Sequence, residues 1–209
     1  MSLYPIALFV HVSGAMGAFI SLGIWLFGLA ALRRAQRVEQ VRALAWLIIM
    51  ASPLMVGSVI LIGLAGFYMA LSSWGLATPW IAVSLVSVVF IGPIGAFVLD
   101  PHMRTILVMT REVPDGPLPA ALVRRTHASF LVTAADALAA ILLGIMFLMT
   151  TKPSLAASIL VMAIASVLGL LSSIPFWQAA RKQPPETAVD GTHGEADPFL
   201  RTTIWTRRW

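Results

Sequence analysis

Five apolar runs set the terms on which this chain can fold: residues 4 to 32, 43 to 71, 79 to 99, 128 to 150 and 154 to 178. Each reaches the ~20 residues a helix needs to cross ~30 Å of hydrocarbon. No water is available at that depth, so a spanning backbone must satisfy its own hydrogen bonds as a helix or a closed barrel. A barrel requires alternating segments of ~10 residues, and none is visible. The expected fold is all-α: a polytopic membrane protein built as a bundle of five transmembrane helices. Composition agrees, with 59% hydrophobic residues, only 11% charged and a mean hydropathy of +0.90, against about a quarter charged in soluble domains. The first run has no basic leader and exceeds the apolar core of a signal peptide, so it reads as an uncleaved span.

The connections between runs are asymmetric in charge. Arg33, Arg34, Arg37 and Arg42 follow the first run, and Arg104, Arg111, Arg124 and Arg125 lie between the third and fourth. Arg181, Lys182, Arg201, Arg207 and Arg208 follow the fifth. The opposite connections hold one basic residue, Lys152, of the fourteen in the chain. The positive-inside rule then places the N-terminus outside and the C-terminus in the cytoplasm, as in a bacterial cytoplasmic membrane protein. Trp25, Trp46 and Trp177 fall near the cytoplasmic ends, and Trp74 and Trp80 at the outer loop, as an aromatic belt would. The net charge of +5 is thereby a topology signal, and nucleic acid is not expected as a partner.

Two domains follow: a five-span domain over residues 1–182 and a polar cytoplasmic tail over 183–209. The tail ends in "TIWTRRW", which suits the headgroup layer or a partner subunit. Asp100 before Pro101 reads as a helix N-cap opening an interfacial segment, "PHMRTILVMTRE". Pro53 and Pro93 are expected to bend their spans. No solenoid repeat or inverted repeat is evident.

The chain has no cysteine, which removes disulfides, thiolate metal sites and cysteine nucleophiles. P-loop, zinc-protease and serine-hydrolase motifs are likewise missing. What remains is a small set of polar residues inside the apolar runs. His11 shares a helical stripe with Gly14, Ala15 and Ala18, so it faces protein and not lipid. A neutral histidine that packs helices, a haem or metal ligand and a proton carrier all fit that position. Asp136 costs most, on the order of 3 kcal/mol if unpaired near mid-span. Its stripe of Ser129, Thr133, Ala140 and Gly144 directs it into the bundle, as a polar clamp or a functional carboxylate. By helical rise His11 lies roughly 9 Å and Asp136 roughly 20 Å below the outer surface, so the two are not expected to touch. His102 and His127 share the cytoplasmic boundary and form a candidate two-histidine site. His127, nine residues before Asp136, faces away from its stripe. Met69, Met146 and Met149 share the outer depth of His11, and thioethers with imidazole suit Cu(I), although methionine also fills apolar gaps.

At "LFVHVSGAMGAFISLG" and "RRTHASFLVTAADALAAILLGIMFLMTTKP" the chain resembles predicted integral membrane proteins of unknown function that neighbour the CopD copper-resistance domain. The matching positions are His11, Gly14, Gly17, Met149, Lys152 and Pro153, within residues 5 to 153. The first span is also similar to that of HemJ-type protoporphyrinogen oxidases, whose membrane histidine binds haem. These resemblances imply haem b or copper as candidate cofactors; the residue positions themselves offer His11, His102 and His127, or Met69, Met146 and Met149, as ligands, and favour no cofactor. The residues themselves favour a protein without a catalytic motif. It is expected to act as an accessory subunit in the lipid bilayer, beside a membrane protein partner or further copies of itself. A haem- or copper-binding redox or transport protein using His11 is the alternative.

Overall fold

The computed structural model describes residues 3 to 174 and Trp177. The expected tail at 183–209 lies outside the described residues. The architecture is all-helical: α1 (Tyr4–Leu32), α2 (Val38–Met69), α3 (Pro79–Pro93), α4 (Asp100–Arg111), α5 (Ala120–Thr126), α6 (Ser129–Thr151) and α7 (Leu155–Leu171). No strand occurs among the described residues, only an isolated bridge between Arg37 and Pro117. Three helical stretches are long and apolar enough to cross a membrane: Tyr4–Leu32, Val38–Trp74 and Ala120–Thr151. Pro79–Val89 and Leu155–Leu171 are shorter apolar helices.

α1 and α2 form a long antiparallel pair because small residues let their backbones approach. A Cβ on Gly14 would lie 3.0 Å from the Ser58 carbonyl oxygen, and one on Gly28 would lie 2.6 Å from Ile48. Ala18 and Ser21 are buried in the same seam, and Ser21 Oγ donates to the Ala51 carbonyl at 3.3 Å. α6 and α7 pair in the same manner, and α4 packs on α2. The outward faces are apolar: Phe27 is 80% exposed and Leu64 70%, as expected of side chains that meet acyl chains.

α3 runs into α4 without interruption through a π-helical stretch, Ile94–Leu99, directly after Pro93. A proline inside a helix lacks an N–H and crowds the preceding turn, and a widened i→i+5 stretch absorbs the misfit. Asp100 is therefore no N-cap: its backbone is α-helical and the capping position has no side-chain hydrogen bond. Its carboxylate instead accepts from Ser52 Oγ on α2 and Arg104 Nε, each at 2.7 Å.

The charged end is held by hydrogen bonds to backbone carbonyls. Arg42 on α2 donates to the carbonyls of Thr110 and Val113 and pairs with Asp115, closing the C-terminal end of α4. Arg33 donates to the His127 carbonyl at 2.9 Å, and Val38 N–H to Gly116 at 2.9 Å. At the other end Trp74 Nε1 donates to Tyr4 Oη and stacks edge-on against Trp80, with Lys152 Nζ 4.2 Å above its ring.

Candidate functional site

Two helix seams hold the polar residues of the apolar interior. In the first, His11 on α1 lies against α2. Its Nδ1 is 3.0 Å from the Ile62 carbonyl oxygen, and because a carbonyl only accepts, Nδ1 carries the proton. The ring rests on Gly66, where a Cβ would come within 3.1 Å of Nδ1 and Cε1. In the neutral ring so oriented, Nε2 is the nitrogen that carries the lone pair. Gly14 and Ala18 are buried one and two turns along the same seam.

In the second seam Asp136 on α6 faces α7. Ser172 Oγ donates to its Oδ2 at 3.0 Å, and a Cβ on Gly169 would meet Ala137 Cα at 2.8 Å. Gly144 sits against Met162 and Ala165, and Ala140 against Gly169. Along this seam runs an open groove of about 510 Å³, bounded by Asp136, Leu143, Phe147, Ile164 and Leu168. Thr133, one turn from Asp136, accepts a hydrogen bond from Trp177 Nε1 at 2.9 Å and donates to the Ser129 carbonyl. Asp136 is half-buried, and its carboxyl has a hydroxyl from α7 as its side-chain donor. His11 and Asp136 belong to different helix pairs, and no hydrogen bond joins them among the described residues.

A family model described as a predicted integral membrane protein matches residues 5–153. The chain belongs to the DUF2269 family of integral membrane proteins. No curated protein and no solved structure matches it. The DUF2269 match runs from α1 to the end of α6, so it contains His11 and Asp136, whereas Gly169, Ser172 and Trp177 lie beyond it.

Within this DUF2269 chain the remaining sequence candidates fall at the two ends. His102 Nε2 donates to the Arg125 carbonyl at 3.3 Å and its ring meets Phe130 edge-on. His127 sits between α5 and α6, where the chain leaves the helix, so the half-turn offset from Asp136 expected for a continuous helix does not apply. Its Nδ1 donates to Val123 at 3.0 Å. Met149 packs with Trp80, Leu148 and Met162, Met146 is exposed, and Met69 is buried on α2 on the face that carries Ile62 and Gly66. His11 Nε2 fits a single haem or copper bond. No group of three or more His, Cys, Asp or Glu stands together among the described residues, and His102 and His127 spend a ring nitrogen each on backbone carbonyls at the far end.

Gly66, Gly169, Ser172 and Trp177 are the site residues that sequence reasoning missed. Gly169 and Ser172, three apart in an apolar run, repeat the small-and-polar spacing that singled out α6.

Proposed function

We propose that the chain is a non-catalytic, five-span subunit of a membrane complex whose α6–α7 face receives a transmembrane helix, from a partner membrane protein or a second copy. The continuous helix from 79 to 111 and the segment from 155 through Trp177 supply the spans beyond the three long ones. The N-terminus is outside and the C-terminus in the cytoplasm of a bacterial cell, residues 1–182 form the span domain, and the tail 183–209 anchors at the headgroups or on the partner. Asp136 carries the reading. An intramembrane carboxyl costs on the order of 3 kcal/mol when unpaired, and Ser172 gives it one donor at the edge of an open groove. A neighbouring helix that brings a second donor offsets the rest. The apolar rim of Leu143, Phe147, Ile164 and Leu168 gives such a helix a surface to pack on.

Because the chain lacks cysteine, single cysteines report on this face directly. In native membranes Leu143→Cys, in the groove, is expected to crosslink to another membrane polypeptide, while Leu64→Cys on the exposed side of α2 does not. Adding Asp136→Ala lowers the yield about fivefold, for ~1 kcal/mol in an interhelical hydrogen bond. Monomer alone from both positions sinks the proposal.

The free Nε2 of His11 supports a second reading, a haem- or copper-binding redox or transport protein. It requires a Soret band or bound copper in the purified protein that disappears in His11→Ala. A colourless, metal-free preparation excludes it.

A further inference from the structure

A second groove, of about 500 Å³, lies between α2 and α4 at the basic end. Its charges do not cancel. Glu39 is engaged by Arg37 and by the Gly116 N–H, and Arg42 by Asp115 and two backbone carbonyls. Arg111, exposed at the last residue of α4, forms no hydrogen bond or ion pair among the described residues. Among the residues that line the groove and their ion-pair partners, one positive charge is left over at the rim. The groove also has a polarity gradient: Glu39 and Arg42 stand at the start of α2, while Trp46 and Leu47 follow one turn deeper, opposite Leu107 on α4. Five residues from Arg42 to Leu47 span roughly 7.5 Å of helix, the scale on which a membrane passes from headgroups to acyl chains.

We propose that this groove binds one anionic phospholipid, with the Arg111 guanidinium on its phosphate, the Trp46 indole at the glycerol level and the first acyl carbons against Leu47 and Leu107. An acidic peptide would satisfy Arg111 but leave the apolar wall unused, and a zwitterionic lipid would fill the wall but gain nothing from the surplus charge. Basic pockets between spans on the cytoplasmic side hold anionic headgroups for this reason.

The test is native mass spectrometry of the full chain released from detergent with phosphatidylglycerol or phosphatidylcholine of identical chains. The wild type is expected to retain phosphatidylglycerol about fivefold more than phosphatidylcholine, the factor corresponding to ~1 kcal/mol per basic side chain near the surface. Arg111→Gln removes that preference. Independently, Ala43→Trp fills the groove with every charge in place and lowers retention of both lipids, while Arg124→Gln on α5 leaves both unchanged. Equal retention of the two lipids by the wild type, an unchanged preference in Arg111→Gln, or displacement of the lipid by millimolar inorganic phosphate or by an acidic peptide overturns the proposal.

Discussion

At the scale of single residues, glycine decides how closely the helices meet. Gly23, Gly57 and Gly63 face open space, so a methyl group there meets nothing within 4 Å. Gly169 is different, because its missing Cβ is replaced by the backbone of α6: Ala137 Cα at 2.8 Å and the Asp136 carbonyl oxygen at 3.1 Å. A main chain cannot rotate away as the end of a side chain can. Gly169→Val is therefore expected to part α6 from α7 and to cost about 1–3 kcal/mol, as overpacking does. Gly23→Ala should be neutral or slightly stabilising, since alanine is the better helix former. Thermal unfolding in detergent compares the two, and equal midpoints would contradict the close seam. The loss of the Asp136–Ser172 hydrogen bond in Gly169→Val would link this packing to the carboxyl.

At the scale of helices, the long apolar runs were legible because length and hydropathy are local properties that the bilayer selects directly. The expected run 4 to 32 coincides with α1, and the fourth run, 128 to 150, differs from α6 by a residue at each end. Junctions were harder to read. The sequence suggested a helix start at Asp100-Pro101, since capping residue types were present, but whether a carboxylate caps depends on what else competes for it. Ser52 and Arg104 take it, and the π stretch after Pro93 carries the helix straight through. In the same way, the short helix α5, which ends at Thr126 before the break at His127 and Ala128, has no apolar run to announce it. The positions of His11 and Asp136 stood out because a polar group in an apolar run is conspicuous. Their partners did not, because Gly66, Ser172 and Trp177 are brought to them by the register of antiparallel pairs, which single-helix periodicity does not encode.

For the whole molecule, two antiparallel seams, α1 with α2 and α6 with α7, are joined through α3 and α4, with unlike ends. Among the described residues eight arginines, from Arg33 to Arg125, occur in or beside the connections at one end, and Lys152 over Trp74 marks the other. Charge placement of this kind fixes insertion, so accessibility should follow it. A membrane-impermeant maleimide is expected to label Ser73→Cys in intact cells and Gln36→Cys only after permeabilisation; the reverse pattern would invert the topology. The second seam has a consequence for biogenesis. Ser172 follows Asp136 by 36 residues, so the carboxyl leaves the ribosome well ahead of the hydroxyl that receives it, and α6 must enter the bilayer bearing a debt its own chain has not yet settled. The α6–α7 pair is thus the shortest stretch of chain in which the carboxyl has this hydroxyl beside it.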